Sequence, residues 1–233
     1  MEYILSILRC KRNSNRKYWQ SFKYNSNSEY DTVISALKAI NSQEKIYDIN
    51  GNLAEKIEYS SSCLQKKCGA CSMVINGRPM LGCSARLTNY DKYIKIEPLR
   101  KFNTICDLIV DRSIMYENLK TLKLWLSNDA SIKDKRRLLN YEASECILCG
   151  LCLEVCPNFS PCGNFYGMSS IVLTTRLLTE LDKEERNIIS KLYNKHCFSG
   201  CAKSLACKNI CPKGIETDKL LTNANLLAIW KKR

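Results

Sequence analysis

The chain is poor in the residues that mark most enzymes. It has a single histidine, His196, and no motif-like grouping of Ser, His and Asp, so hydrolytic chemistry has no support. None of its nine glycines falls in a G-x-G-x-x-G or P-loop pattern, so nothing marks a nucleotide, flavin or nicotinamide site. Substrate chemistry is therefore expected on another chain. No stretch approaches a run of about 18 apolar residues, so no membrane-spanning helix is expected. The opening segment Met1 to Arg12 lacks a basic region followed by a long apolar run, and it is not Arg-rich and acid-poor. Neither a signal peptide nor a transit peptide is expected, and the chain reads as cytosolic.

What it has in excess is cysteine, fifteen in 233 residues. A disulfide scaffold fits poorly, since such scaffolds are short and pair their cysteines, and this count is odd. In a reducing compartment the thiols are free to bind metal. Hydrophobic residues make up 45%, enough for a packed core in one large domain or two modest ones. The formal charge is +13. That balance suits an anionic membrane surface, an acidic protein or nucleic acid. The basic groups are scattered, as in Lys133-Asp134-Lys135-Arg136-Arg137 and Lys231-Lys232-Arg233. They read as solvated surface, and no nucleic-acid partner is expected.

The first hundred residues read as a small mixed unit. Tyr3 to Cys10 alternates as a strand does, and Trp19 to Tyr24 pairs with it as a hairpin. Thr32 to Ile40 has helical spacing, with Asp31 as its N-cap. A cysteine loop follows, then strands at Ser72 to Asn76 and Ile94 to Pro98, with Asn76-Gly77 as a turn. Beyond Pro98 the chain reads as helices broken by cysteine loops: Met115 to Leu126, Ile171 to Leu181, Glu184 to Tyr193 and Lys219 to Trp230. The expected domains are residues 1–100 and 101–233.

Three cysteine constellations stand out. The first is Cys63-x4-Cys68-x2-Cys71-x11-Cys83, whose leading spacings match the plant-type two-iron ferredoxin loop. Three thiolates converge from one tight loop and a fourth closes the site from a neighbouring segment. Gly69 and Ala70 keep side chains clear where backbone amides would face the sulfurs. A zinc ribbon would want two separated Cys-x2-Cys knuckles, and only one is present. The second is Cys146-x2-Cys149-x2-Cys152-x3-Cys156-Pro157, the bacterial ferredoxin run, whose fourth cysteine serves the other cluster in two-cluster ferredoxins. The third, Cys201-x5-Cys207-x3-Cys211-Pro212, is the same run with Ser204 in place of its second cysteine. Exchange of the last ligands gives one cluster Cys146, Cys149, Cys152 and Cys211. The other keeps Cys156, Cys201 and Cys207, which suits a three-iron cluster, or a four-iron cluster with an unusual ligand such as the Ser204 hydroxyl.

Four cysteines remain. Cys10 and Cys106 read as small buried hydrophobes. Cys162 and Cys197 lie near the second and third runs and are spare-ligand candidates. The lone His196 excludes a two-histidine Rieske site and reads as an exposed loop residue.

The order of these motifs resembles the iron–sulfur subunit of succinate dehydrogenase and fumarate reductase. The likeness runs from Ile4 to the C-terminal helix. Cys68-Gly69-Ala70-Cys71-Ser72-Met73, Cys152-Leu153-Glu154-Val155-Cys156-Pro157-Asn158 and Cys207-Lys208-Asn209-Ile210-Cys211-Pro212-Lys213-Gly214 look like that family's signatures, most similar to its menaquinone-linked bacterial members. The resemblance implies an α+β protein, with an N-terminal β-grasp [2Fe-2S] ferredoxin domain followed by an all-helical bacterial ferredoxin-like domain carrying [4Fe-4S] and [3Fe-4S] clusters. It implies a flavoprotein partner bearing FAD and the dicarboxylate site. A membrane anchor with quinone would hold the chain peripherally at the cytoplasmic face of the membrane. The two-iron cluster would face the flavin and the three-iron cluster the quinone. Some relatives carry a tryptophan shortly after the proline matching Pro157 and a histidine after the cysteine matching Cys201. Here those segments read Asn158-Phe159-Ser160-Pro161-Cys162 and Ala202-Lys203, so quinone contacts of that subtype are not carried over. The alternative is the same wire in a thiol-linked fumarate reductase or another flavin dehydrogenase. Such relatives often add a cysteine-rich domain, and none follows Cys211 in this sequence.

Overall fold

The computed structural model describes residues 1–14, 16–126, 137–178 and 180–230. They form two compact units, Met1–Asp111 and Arg112–Arg233. The first opens with a hairpin of β1 (Glu2–Cys10) and β2 (Lys17–Asn25), in which Leu5 stands opposite Phe22. Alternation buries Tyr3, Leu5 and Ile7 together. Helix α1 (Val33–Asn41) buries Val33, Ile34, Leu37 and Ile40. Its cap is Thr32, not the expected Asp31. The Thr32 hydroxyl accepts from the Ser35 N–H at 3.2 Å and the Thr32 N–H donates to Ser35 Oγ at 2.7 Å, a reciprocal capping box. Asp31 is drawn away by the hydroxyls of Tyr24 and Ser26, at 2.8 and 2.7 Å.

A small hairpin of β3 (Ile46–Tyr47) and β4 (Leu53–Ala54) precedes the first cysteine loop. Then β5 (Ser72–Ile75) and β6 (Arg78–Leu81) pair through the expected Asn76-Gly77 turn, both residues at positive φ, 46° and 79°. Strand β7 (Tyr93–Glu97) runs parallel to β1 and antiparallel to β5, giving the order β2-β1-β7-β5-β6. The parallel β1–β7 pair requires a long crossover, and α1 lies within it. This is the expected β-grasp arrangement. The unit does not stop at residue 100. Strands β8 (Thr104–Cys106) and β9 (Ile109–Val110) follow, and β8 folds back on β1. A buried ion pair explains this, with Arg9 Nε 2.9 Å from Asp107 and both side chains nearly sealed from solvent. Asp107 also accepts from the Cys10 and Glu58 N–H groups at 3.0 and 2.9 Å.

The second unit is helical, as expected. Its helices are α2 (Ser113–Thr121), α3 (Arg137–Ser144), α4 (Leu151–Glu154), α5 (Gly167–Leu178), α6 (Lys183–Tyr193) and α7 (Thr217–Asn225). Helix α5 is the hub, packing on α3 and α7 and burying Ile171, Val172, Thr174, Thr175 and Leu178. Helix α2 ends short of the expected Leu126, where Lys123 takes a left-handed φ of 54°. Helices α6 and α7 run on into single π turns, Asn194–Phe198 and Leu226–Trp230. The runs Lys133 to Arg136 and Lys231 to Arg233 lie outside the described residues.

Candidate metal centres

In the first loop, Leu64, Lys66 and Gly69 adopt left-handed φ angles of 56°, 58° and 70°. Left-handed residues set among right-handed ones turn successive N–H groups toward one point. The point here is sulfur: the Gln65 and Lys67 N–H groups donate to Cys63 Sγ at 3.3 and 3.2 Å, and the Ala70 N–H to Cys68 Sγ at 3.5 Å. The Gln65 and Lys67 N–H groups pull the Cys63 thiol down to about 7. Burial pushes Cys71 up to about 12. Cys83 arrives on a 3₁₀ turn after β6, and its N–H donates to Cys71 Sγ at 3.5 Å. Gly82 packs tightly there: a Cβ would lie 3.0 Å from the Ile34 and Met73 side chains, which would have to give by a few tenths of an ångström. Cys68 is the exposed member of the four.

In the second unit, Cys146, Cys149, Cys152 and Cys211 line one cavity of about 30 Å³. Cys156, Cys201 and Cys207 line another of about 20 Å³, with Ser204 on its wall. The last cysteine of each run thus stands with the other run. Left-handed Leu148 and Gly150, at 49° and 84°, curl the second run before α4 carries Cys152 inward. Lys203 and Leu205, at 57° and 55°, do the same for the third. Met168 lines both cavities. Burial lifts Cys146, lifts Cys149 to about 11 and lifts Cys152 well above its usual range, and neighbouring thiols add to each. Cys207 is raised by burial, with Cys156 and Cys201 contributing.

The spare cysteines do not join these walls. Cys162 is exposed, and Cys197 is sealed in the core, its thiol pushed up by burial and by Cys201. Cys10 and Cys106 are buried, as expected. His196 is the clear departure. It is buried in the π turn, its Nδ1 is 3.1 Å from the Asn164 carbonyl, and its ring stacks on Tyr166 at 4.3 Å. The extra residue per turn re-aims the side chain, and nothing in the sequence pattern announces it. Gly200, just before Cys201, carries no sequence signal either. A Cβ there would meet Phe165 ring and Cβ atoms at 2.6 to 2.8 Å.

Among the described residues no three His, Cys, Asp or Glu side chains gather tightly enough for a single metal ion. The donors are thiols spread around cavity walls, a set suited to a polynuclear iron–sulfide core. Burial raises Cys71, Cys146, Cys149, Cys152 and Cys207, so loading at those thiols displaces protons, as thiolate ligation does. A β-grasp cysteine loop followed by a helical unit with two interleaved cysteine runs defines an iron–sulfur electron-transfer protein.

A family model described as a 2Fe-2S iron-sulfur cluster binding domain matches residues 4–117, and one described as a 4Fe-4S dicluster domain matches residues 142–215. The chain belongs to the family of succinate dehydrogenase and fumarate reductase iron–sulfur subunits. It is 36% identical over 195 residues to the succinate dehydrogenase iron–sulfur subunit of Bacillus subtilis, covering 78% of this chain and 76% of that one. It is 29% identical over 219 residues to the fumarate reductase iron–sulfur subunit of Haemophilus influenzae, covering 83% and 86%. A chain of the Mycobacterium smegmatis Sdh1 complex shares the fold, with a TM-score of 0.77 at 21% identity over 100% of this chain and 98% of that one. Electron transfer within such a complex is the role of this subunit. No helix among the described residues is long and apolar enough to cross a membrane.

Proposed function

We propose that this chain passes electrons between the FAD of a flavoprotein subunit and a quinone held by a membrane anchor, with no substrate site of its own. When bound, the clusters supply one-electron carriers whose potentials differ with cluster type and surroundings. Cys63, Cys68, Cys71 and Cys83 hold the two-iron cluster. Cys146, Cys149, Cys152 and Cys211 hold the four-iron cluster. Cys156, Cys201 and Cys207 hold the three-iron cluster. The observation that carries this reading is the sharing of cavity walls, Cys211 with the second run and Cys156 with the third. The loop amides at Cys63 and Cys68 offset negative charge on sulfur, while burial keeps water from the inner thiols. The subunit sits peripherally at the cytoplasmic face through its anchor partner.

Iron counting by anomalous diffraction on the purified complex tests the ligand sets, with two, four and three irons expected at the three sites. The isolated, cluster-loaded chain should reduce no fumarate from an artificial donor. Activity there would overturn the division of labour.

A further inference from the structure

The wall between the two helical-unit sites contains a polar group that belongs to neither ligand set. Thr217 opens α7 and is 2% exposed. It lines the cavity of Cys146, Cys149, Cys152 and Cys211. Its hydroxyl, however, donates to the sulfur of Cys207, which belongs to the other set, at 3.7 Å. The two sites are neighbours, since Met168 lines both cavities. Thr217 is held by packing of its helix, since the Thr175 hydroxyl reaches the Leu220 carbonyl at 3.1 Å and ties α7 to α5.

We propose that Thr217 sets the reduction potential of the third centre through its hydrogen bond to Cys207, and so sets the step in potential between the two neighbouring centres. This rests on Cys207 being a ligand of that centre. The physics fixes the sign. Reduction adds negative charge that is shared by the ligand sulfurs, and a buried hydroxyl donor stabilises that charge more in the reduced state than in the oxidised one. The donor therefore raises the potential, and its removal lowers it. Burial matters, because water cannot replace the lost donor. Valine matches the shape of threonine and keeps the wall facing the four-iron site.

The experiment is a dye-mediated redox titration of the purified complex, followed by magnetic resonance of the oxidised third centre and of the reduced four-iron centre. Thr217→Val should lower the third potential by roughly tenfold in the reduction equilibrium, about 59 mV for one electron, with the four-iron potential unchanged. Thr217→Ser, which keeps the hydroxyl, should titrate with the wild type. An unchanged potential in Thr217→Val, or an equal drop in Thr217→Ser, overturns the role of Thr217. Should Thr217→Val not retain the signal, Thr217→Ala is titrated in its place: a lowered third potential supports the role and an unchanged one overturns it. A wild-type complex without a three-iron signal would instead overturn the ligand reading beneath it.

Discussion

At the scale of single residues, chemistry depends on which atom sits at a cluster wall. Ser204 lines the third cavity in the place where the second run has a thiol. A neutral hydroxyl is a poor ligand beside soft thiolates. Ser204→Cys should therefore admit a fourth iron and lower the potential of that centre, as read by its changed magnetic resonance signal. Asp107 carries a different burden. It faces buried Arg9, the buried Cys10 N–H and the part-buried Glu58 N–H. Asp107→Ala removes the counter-charge of the Arg9 guanidinium, which keeps its hydrogen bonds to Gln20 and to the Glu55 and Lys56 carbonyls, and orphans the Cys10 N–H, so it should cost about 3–5 kcal/mol, measured by denaturant unfolding of the chain. Asp107 was not legible in the sequence because its partners lie far along the chain; Thr217 is only ten residues from Cys207, but no ligand-spacing pattern marks its hydroxyl.

At the scale of elements, the cysteine runs work because short helices and left-handed residues aim them. Gly200 shows how little slack there is. Its missing side chain lets the stretch of chain before Cys201 lie against Phe165, itself on the third cavity wall. Gly200→Ala should displace Cys201 or Phe165, cost roughly 1–3 kcal/mol and weaken retention of the third cluster, seen as loss of its signal on dilution or mild chelation. The strands and most helices were readable from period and capping signals. The π turns were not. They arise from packing at the ends of α6 and α7, and one of them buries His196, which by sequence alone reads as an exposed loop residue.

At the scale of the whole molecule, the two units have separate cores and hold their cysteines separately. Cys68→Ala should thus remove the two-iron signal and leave the others, with the iron content falling accordingly. Loss of all iron would show that assembly is shared. Expressed without an anchor partner, the chain should leave the membrane fraction at moderate salt, since basic surface alone gives a screened, reversible attachment. The sequence by itself determined the cluster chemistry and the family, because ligand spacing is a local property of a run of ten or so residues and survives without any knowledge of the fold. It also marked the β-grasp unit and the helical unit through their periods. Only the tertiary structure decided the rest: the Arg9–Asp107 anchor that carries the first unit past residue 100, the sealing of Cys197 and His196, and the reach of Thr217 across to Cys207. The first two depend on long-range packing, where residues distant in the chain share a buried wall; the last spans ten residues, but it is set by how α7 packs and no cysteine-spacing pattern records it.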